Sequence, residues 1–412
     1  MHHSDKEKLI NKIDALQSAA VETLCDLIAI NSVGPKNNGP GEADKAAYLK
    51  SLLTELGFED IENYPAPDER VSGGIRPNMI ARIPGKDPDR TFWIIAHMDV
   101  VPEGDRNKWD TDPFRAEVKE GKVFGRGSED NLQGLVSGLT MARAFLETGI
   151  RPPVNIALAF VSDEETGSAF GLGYLMQHHA HLFAKDDLII IPDAGEPDGS
   201  MIEIAEKSIL WLKIKTLGKQ VHASVPQQGI NAFKAAAQLV VELDRLHQKF
   251  SKKNALFDPP ISTFEPTKKE ANVPNINTIP GEDIFYLDCR ILPEYSTEEV
   301  MAFVRIVCDE VQEKFKVVIE LSAEQKEQAA PATDLQAPVI GLLSQAIRTV
   351  YEIEPRPQGI GGGTVAALLR KRGYPAVVWS KIDDMAHQPN EYCRIDNLAG
   401  DAKVFALTVL GA

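Results

Sequence analysis

The chain of 412 residues is long enough for more than one hydrophobic core, so we expect two domains. Hydrophobic residues make up 43% of it and charged residues 25%, which is the composition of a folded globular protein. The 60 acidic residues outnumber the 44 lysines and arginines, and the resulting formal net charge of −16 opposes binding to nucleic acid or to an anionic membrane. A small molecule or a peptide is the expected partner.

The cysteines and the N-terminal segment indicate where the protein works. Four cysteines are scattered without paired spacing, so neither a disulfide framework nor a thiolate metal site is predicted. The first residues are polar, and the apolar stretch after them is interrupted by Glu22 and Asp26, so we expect neither a signal peptide nor a membrane span. These features predict a cytoplasmic protein.

The first predicted elements are a helix and a series of short apolar strands. Leu9, Ile13, Leu16 and Leu24 recur at helical spacing. Short apolar runs follow, each ending in polar or glycine-containing sequence: residues 77–85, 91–99, 154–165, 187–195 and 374–387. Continuous apolar strands separated by helical stretches such as 135–149 are typical of a mostly parallel sheet flanked by helices, and the predicted fold class is therefore α/β.

A different pattern begins near Ser208. The segments read in order as strand, helix, strand, strand, helix and strand: residues 209–218, 231–250, 276–280, 283–293, 296–315 and 316–324. This order is that of a ferredoxin-like α+β domain. We therefore predict an inserted domain at 208–323 and a catalytic domain made of 1–207 and 324–412, with a polar segment leading back into the second part.

Side chains of metal-ligand type follow several of the predicted strands. They are His97 with Asp99, Glu164 with Glu165, Asp193 and His387, and Asp130 lies in the loop GRGSEDNLQG. Ligands of open α/β sheets bind beyond the carboxyl ends of the strands, so residues far apart in sequence are expected to meet there. Two imidazoles with several carboxylates and no thiolate suit zinc or a similar divalent ion. Any one of these residues alone is more often structural than a ligand, but agreement among five strand ends and loops favours a metal site.

The motifs resemble a known family, the co-catalytic zinc hydrolases that include aminoacylase, acetylornithine deacetylase, succinyl-diaminopimelate desuccinylase and glutamate carboxypeptidase. The matching segments occur in the family's order and approximate spacing: AHMDVVP (96–102), GRGSEDNLQG (125–134), DEETG (163–167), PDAG (192–195), GKQVHASVPQQGINA (218–232) and the late His387. The resemblance covers essentially the whole chain, including the inserted domain.

The resemblance implies a centre with two divalent metal ions, zinc in the first place, with cobalt or manganese as alternatives. Asp130 would bridge the ions. His97 and Asp193 would complete one metal site, and Glu165 and His387 would complete the other. The peptide bond that follows the bridging aspartate, here Asp130 to Asn131, is often cis in this family.

The resemblance also implies roles for the acidic residues around these ligands. Glu164 would be the general base, taking a proton from the attacking water and passing it to the leaving amine. Asp99 would accept the second N–H of the His97 imidazole and fix its orientation. Asp163 is interpreted as an ordinary loop or hydrogen-bonding residue.

The inserted domain resembles the family's lid and dimerisation module, so a homodimer is expected. His222 would reach the partner subunit's active site and stabilise the oxyanion of the tetrahedral intermediate. Asn277 and Arg290 match positions that hold the substrate carboxylate. The glycine-rich loop 358–369 would bind an anionic end of the substrate through backbone N–H groups, including that of Gly363, and through Thr364.

The expected reaction is hydrolysis of an amide bond in an N-acyl amino acid or a short peptide, of deacylase or carboxypeptidase type. A dipeptidase of the same family is an alternative, although dipeptidase-like members often carry an arginine three residues after the loop threonine, where this chain has Ala367. A binding protein that has lost its chemistry is the other alternative. It is disfavoured because the base and all the expected ligands are present in the sequence.

Overall fold

The computed structural model describes residues 3–412 and is a mixed α/β protein. Its helices are α1 (His3–Ala15), α2 (Gln17–Ala29), α3 (Ala43–Glu55), α4 (Leu132–Thr148), α5 (Leu172–His178), α6 (Ala232–Leu243), α7 (Arg245–Lys249), α8 (Thr297–Phe315), α9 (Pro338–Tyr351), α10 (Ala366–Arg370) and α11 (Ile395–Gly411). The first predicted helix is divided into α1 and α2 near Leu16.

The strands form one large sheet and several small ones. They are β1 (Asp60–Asn63), β2 (Ala66–Pro67), β3 (Ile75–Arg76), β4 (Met79–Ile83), β5 (Asp87–His97), β6 (Glu117–Lys119), β7 (Lys122–Phe124), β8 (Val154–Val161), β9 (Leu188–Glu196), β10 (Met201–Glu206), β11 (Ser208–Leu217), β12 (Val221–His222), β13 (Thr263–Lys269), β14 (Thr278–Ile279), β15 (Glu282–Ile291), β16 (Val318–Glu327), β17 (Arg356–Ile360), β18 (Ala376–Lys381) and β19 (Tyr392–Arg394).

The large sheet has the strand order β1-β4-β8-β5-β9-β18-β10-β17. Its centre is parallel, because β8 with β5, β5 with β9, and β9 with β18 all pair in parallel. Antiparallel pairs flank this centre, β1 with β4, β4 with β8 and β10 with β18. The buried apolar runs predicted as strands are these central strands, and the mostly parallel sheet flanked by helices is confirmed.

Helix α4 is the central helix of this layer. It packs against β5, β8 and β9 on one side and against α1, α2 and α11 on the other. Its residues Leu132–Ala142, Ala144 and Phe145 are buried, which suits a helix covered all round. Two glycines allow α4 to lie close to the sheet. A Cβ on Gly134 would lie 2.5 Å from Cγ of Pro192, and one on Gly138 would lie 2.9 Å from Cγ2 of Ile94.

The chain divides into two compact units. Unit 1 comprises the residues up to Ile204 together with Ala332–Gln358 and Leu368–Ala412, and unit 2 comprises Ala205–Pro331 and Gly359–Ala367. The assignment of residues 208–323 as a lid or dimerisation domain remains a prediction. Within the described part of the chain, no helix combines the length and hydrophobicity needed to cross a membrane.

Unit 2 contains a four-stranded antiparallel sheet in the order β13-β15-β11-β16, with α6 and α8 packed on it. Two details differ from the sequence interpretation. The first is β13, which was not predicted because it is an edge strand whose residues are mostly exposed and include a proline and two lysines. The second is segment 276–280, in which only Thr278–Ile279 are strand, paired with β12 outside the four-stranded sheet.

Candidate metal centre

Three neighbouring parallel strands deliver ligand-type side chains to one edge of the sheet in unit 1. His97 is the last residue of β5 and is buried. Glu164 and Glu165 lie in a 3₁₀ turn that follows β8, and Asp193 lies near the end of β9. Because β8, β5 and β9 are adjacent and parallel, their carboxyl ends meet at the same edge.

Two loops bring the other residues to this edge. Asp130 lies just before α4, and His387 lies in the loop between β18 and β19. Oδ1 of Asp130 is 3.0 Å from Nε2 of His97, and its Oδ2 is 3.2 Å from Nε2 of His387. The same His97 nitrogen is 3.3 Å from Oδ1 of Asp193, and the His387 nitrogen is 3.1 Å from Oε2 of Glu165. The two oxygens of Asp130 therefore face two different imidazoles, each of which also contacts a second carboxylate.

The donor set fits a divalent metal ion. Ligand atoms lie within 4.8 Å of one another in two overlapping groups: His97 with Asp130 and Glu165, and His97 with Glu164 and Asp193. Oε1 of Glu165 is buried and has no hydrogen-bond partner among the residues that the structure describes. A buried carboxylate oxygen without a donor carries a desolvation penalty that a bound cation removes. Nitrogen and carboxylate oxygen donors without thiolate suit first-row divalent ions.

The titration behaviour of the imidazoles reflects the negative charge of this edge. Burial lowers the pKa of His97, but Asp193 and then Asp130 outweigh it, so the pKa lies well above its usual range. Hydrogen bonding to Asp130 and to Glu165 raises the pKa of His387 to about 10. The carboxylates thus stabilise positive charge at both imidazoles, as they would stabilise a cation between them.

The pKa values of the two glutamates of the turn are also raised, which for a carboxyl group disfavours the charged form. Burial, followed by the charge of Asp193, raises the pKa of Glu164 well above its usual range. Burial and the charge of Asp130 raise the pKa of Glu165 to about 7. Both shifts arise because several carboxylates share a poorly solvated site, and positive charge placed there would relieve them.

Asp99 supports this edge with two different groups. Its backbone carbonyl accepts a hydrogen bond from Nδ1 of His97 at 2.8 Å, whereas its carboxylate oxygen lies 3.6 Å from that nitrogen. Asp99 thus accepts from the second ring nitrogen of His97, and it does so through its main-chain carbonyl. A carbonyl only accepts, so Nδ1 carries a proton and donates it to this bond, and Nε2 is the nitrogen directed at Asp130.

The carboxylate of Asp99 holds the glutamate turn instead. Its Oδ1 accepts from the backbone N–H of Glu164 at 3.0 Å, and its Oδ2 accepts from that of Glu165 at 3.1 Å. With His97 bonded to the backbone of the same residue, Asp99 links the end of β5 to the turn after β8.

A buried ionic cluster behind the turn was not foreseen from the sequence. Arg76 is fully buried; it donates through Nε to Glu42 at 2.6 Å and through Nη2 to the other oxygen of the same carboxylate. Its Nη1 lies 3.4 Å from Oδ1 of Asp163 and 3.5 Å from Oδ2 of Asp68. Glu42 also accepts from the backbone N–H of Asp163 at 3.2 Å. We call Arg76, Glu42, Asp68 and Asp163 the Arg76 cluster.

Asp163 is a buried hydrogen-bonding residue of this turn. It is 2% exposed, its φ is 64°, and its carboxylate accepts from the backbone N–H of Phe170 at 3.1 Å and from the hydroxyl of Thr166. These contacts fix the turn that carries Glu164 and Glu165. The partners are up to 121 residues apart in sequence, so no local pattern could have revealed them.

The segment after Asp130 is tied to the end of β9. The peptide bond from Asp130 to Asn131 is cis. The side-chain amide of Asn131 donates to the carbonyl of Pro192 at 3.0 Å and also to Oδ1 of Asp193. Asn131 therefore connects the residues that precede α4 to Asp193.

The remaining predicted site residues all belong to unit 2. His222 lies exposed in β12, paired with Thr278 of β14, and the Asn277 carbonyl accepts from the backbone N–H of Ala223 at 2.8 Å. Nδ1 of His222 accepts from the backbone N–H of Ser224 at 3.2 Å. A backbone N–H only donates, so the neutral ring carries its proton on Nε2.

Arg290 and the glycine-rich loop lie together in unit 2. Arg290 donates to both oxygens of Asp288, at 2.7 and 3.1 Å, and through Nη1 to the carbonyl of Gly361 at 3.1 Å. Gly363 lies two residues after Gly361 and precedes Thr364. The backbone N–H of Thr364 donates to the Glu206 carboxylate at 2.9 Å, and its hydroxyl donates to the same oxygen. Some of the donors of Arg290 and Thr364 that were predicted to bind a substrate thus form hydrogen bonds with other residues of unit 2.

Comparison with known proteins identifies the family. Residues 93–411 match the model of peptidase family M20/M25/M40. The chain is 43% identical over 401 residues to an uncharacterized metallohydrolase of Methanocaldococcus jannaschii, covering 94% of this chain and 97% of the relative. It is 28% identical over 381 residues to a succinyl-diaminopimelate desuccinylase of Roseobacter denitrificans, covering 92% and 94%. Among solved structures, aminopeptidase PepT of Bacillus cereus has a similar fold, with a TM-score of 0.76 at 18% identity, covering 96% and 98%.

The matched region contains the end of β5, all of β8 and β9, both loops that carry ligand-type residues, and all of unit 2. The family resemblance predicted from the motifs is confirmed. The chain belongs to peptidase family M20/M25/M40 and is a metallohydrolase of the kind that works with divalent metal ions.

Proposed function

We propose that the protein hydrolyses an amide bond in an N-acyl amino acid or a short peptide, using two divalent metal ions held at the sheet edge of unit 1. The observation that carries this proposal is the position of Asp130 between two imidazoles, with Oδ1 3.0 Å from His97 and Oδ2 3.2 Å from His387. A carboxylate with its two oxygens directed to separate imidazole and carboxylate pairs is suited to bridge two ions.

The proposed ligand sets follow from these contacts. Asp130 would bridge the ions, His97 and Asp193 would complete one site, and Glu165 and His387 would complete the other. Zinc is the proposed ion because imidazole and carboxylate are among its usual ligands. When bound, such ions supply positive charge that promotes deprotonation of water and polarises the substrate carbonyl.

Glu164 is the proposed general base. It lies beside Glu165 in the same turn but is not required as a ligand in either set, so its carboxylate remains available to accept a proton. Burial is the largest cause of the raised pKa of Glu164, and a buried carboxylate accepts a proton more readily than a solvated one. Glu164 would take the proton from the attacking water and deliver it to the leaving nitrogen.

Unit 2 supplies the proposed substrate contacts. Asn277, Arg290, Gly363 and Thr364 are proposed to hold the substrate carboxylate or another anionic end. His222 is proposed to donate to the oxyanion of the tetrahedral intermediate in the partner subunit of a homodimer. The Ser224 N–H at Nδ1 supports this role, because it leaves the Nε2 proton as the donor.

Acylated amino acids are the first substrate class to examine. The relative at 28% identity is named a succinyl-diaminopimelate desuccinylase, which by its name removes an acyl group from an amino acid. Ala367, in place of the arginine typical of dipeptidase-like members, makes a dipeptide a less favoured substrate.

The testing experiment is chelation and reconstitution combined with a substrate screen. The purified protein is stripped with a chelator and then titrated with zinc or cobalt, while release of free amino acid is followed for succinylated and acetylated amino acids and for dipeptides. We expect activity to disappear on stripping and to return fully only when two ions are bound per chain. Activity that survives stripping, or that is complete with one ion, contradicts the two-ion proposal. Tight substrate binding without hydrolysis at any metal content indicates a binding protein.

A further inference from the structure

Two buried glutamates join the loop of Asp130 to the loop of His387. We call residues 125–130 the Asp130 loop and residues 382–391 the His387 loop. Glu129 belongs to the first and Glu391 to the second, and the side chain of each accepts hydrogen bonds from the backbone of the other loop. Glu129 is 4% exposed and Glu391 is fully buried. Neither was singled out in the sequence, and neither belongs to the proposed ligand sets.

Glu391 holds the Asp130 loop. Its Oε1 accepts from the backbone N–H groups of Glu129 and Asp130 at 3.0 and 3.1 Å. Its Oε2 accepts from the backbone N–H of Gly127 at 2.9 Å and from Nη1 of Arg126 at 2.7 Å. Both carboxylate oxygens are thus committed to the segment that ends at the proposed bridging residue.

Glu129 makes the reverse connection. Its Oε1 accepts from the backbone N–H of Asp383 at 2.7 Å, and its Oε2 accepts from the backbone N–H of Met385. Met385 is two residues before His387. The side chain of Glu129 therefore fixes the approach of the His387 loop to the Asp130 loop, across 254 residues of sequence.

Within the His387 loop, Gln388 donates to the carbonyls of Asp384 and Met385 at 2.7 and 3.2 Å. Apart from the contacts of His387 itself, the other hydrogen bonds that join the loop to the rest of the chain lie towards its ends. Asp383 accepts from Tyr392 at 2.8 Å and from Arg394 at 2.6 Å, while Asn390 exchanges hydrogen bonds with Asp110. The His387 side chain is 57% exposed. Few packing contacts are available to hold such a side chain, so the backbone of its loop must set its position.

We propose that Glu129 is a positioning residue for the metal site completed by His387, and that it leaves the site completed by His97 and Asp193 largely unaffected. The hydrogen bonds explain why loss of the Glu129 side chain should affect one metal site and not the other. Removal of the Glu129 side chain frees the His387 loop, whereas the Asp130 loop keeps its four donors to Glu391, and His97 and Asp193 are held on β5 and β9. This inference rests on the proposed two-ion function.

The test compares metal binding by wild type, Glu129→Ala and Glu129→Gln in stepwise titration with Co²⁺, followed by its visible absorption and by competition with a chromophoric chelator. We expect one ion to bind within about threefold of wild type and the other to bind about 10- to 100-fold more weakly, which is the usual effect of losing a group that orients a ligand. The Gln variant keeps the size of the side chain and decides the question if the Ala variant does not fold. Glu117→Ala, at an exposed position of β6, is the matched control and should bind both ions as wild type does.

Two further measurements separate positioning from a general loss of stability. In a His387→Ala background, Glu129→Ala should weaken metal binding by less than about threefold, because the two changes act on the same site. In metal-free protein, amide hydrogen exchange of peptides covering 383–387 should be faster in Glu129→Ala, with the 125–130 peptide unchanged.

The outcomes distinguish this inference from the function on which it rests. If wild type binds a single ion, the two-ion function fails, and the exchange experiment still reports whether Glu129 holds the loop. If wild type binds two ions and the variants lose both equally, lose neither, or show additive losses with His387→Ala, the role of Glu129 is overturned while the proposed function stands.

Discussion

At the scale of single residues, substitutions of the adjacent Glu164 and Glu165 should impair different steps, proton transfer and metal binding respectively. In Glu164→Gln we expect metal content to stay at the wild-type level and turnover to fall by about 10²- to 10⁴-fold, because the proton acceptor is lost and the ligands are kept. In Glu165→Gln we expect metal affinity to fall first, by about 10- to 100-fold or more. Metal analysis and kcat measured on the same preparations check both results. Near-wild-type turnover in Glu164→Gln would remove it as the base.

Arg76 should be among the residues most important for stability. It is fully buried and compensates the carboxylates of Glu42, Asp68 and Asp163. Arg76→Met leaves the buried carboxylate of Glu42 without its ion-pair partner and removes an ion pair from Asp163, whereas Asp68 keeps Arg70. We therefore expect the free energy of unfolding to fall by about 3–5 kcal/mol. Arg106→Met, which removes an exposed guanidinium paired with Glu103, is the control and should leave urea unfolding nearly unchanged. Equal effects of the two changes would contradict the role of the Arg76 cluster.

The Arg76 cluster also predicts how stability depends on pH. Hydrogen bonding to Arg70 lowers the pKa of Asp68 to about 2, against about 4 for an unfolded chain. A depressed folded-state pKa stabilises the protein above the unfolded value, and this stabilisation is lost as the pH falls from about 4 to about 2. We expect Asp68→Asn to cost on the order of 1–2 kcal/mol at neutral pH and progressively less in that acidic range. Urea unfolding of both proteins between pH 7 and pH 2 measures the difference, and a difference independent of pH would contradict the assignment.

At the scale of secondary structure elements, the close approach of α4 to β9 should be required for the site. A Cβ on Gly134 would lie 2.5 Å from Cγ and 2.6 Å from the carbonyl oxygen of Pro192. Gly134→Ala must therefore push apart α4, which begins two residues after Asp130, and β9, which contains Asp193. We expect a loss of about 1–3 kcal/mol in unfolding free energy, as for other overpacked sites, together with weaker metal binding.

Gly341 provides the matched helical control. It lies in α9, and a Cβ there would meet nothing within 4 Å. Gly341→Ala should raise the unfolding free energy by about 0.5–1 kcal/mol, because alanine loses less backbone entropy than glycine on forming a helix. Thermal unfolding of the two alanine variants measures both effects. A destabilised Gly341→Ala, or a neutral Gly134→Ala, would contradict the packing argument.

Sequence reasoning found the elements that have strong local patterns. The continuous apolar runs of β5, β8 and β9 predicted the centre of the sheet, and the motifs around Asp130 and Glu165 predicted the family. The exposed edge strand β13 lacks such a pattern and was missed. The partners of Arg76, Glu129 and Glu391 lie between 8 and 265 residues away and are defined by hydrogen bonds that no periodicity encodes. Whether His97 bonds to the backbone carbonyl of Asp99 or to its carboxylate likewise depends on atomic positions that a sequence pattern does not specify.

At the scale of the whole molecule, the proposed reaction divides its residues between the two units. Every proposed metal ligand and the base belong to unit 1, whereas His222, Asn277, Arg290, Gly363 and Thr364 belong to unit 2. The homodimer remains a proposal that follows from the role assigned to His222 in the partner subunit. Sedimentation analysis of the purified protein should give the mass of two chains.

Complementation between two inactive variants tests whether His222 acts in the partner subunit. Glu164→Gln keeps His222 but lacks the base, and His222→Ala keeps the base but lacks the oxyanion donor. A hybrid dimer then contains one subunit with Glu164 that receives His222 from its partner. Random association makes half of the dimers hybrids with one complete site of two, so coexpression should restore about a quarter of wild-type activity.

The separately expressed variants and a mixture that is not allowed to exchange subunits are the controls, and both should remain inactive. If His222 acted within its own chain, each hybrid would contain two defective sites. Coexpression would then give no more activity than the average of the parents. A hybrid isolated with two different affinity tags makes the comparison quantitative. If His222 acts in the partner subunit, one of the two sites of the hybrid is complete, so its activity per dimer should be half that of wild type.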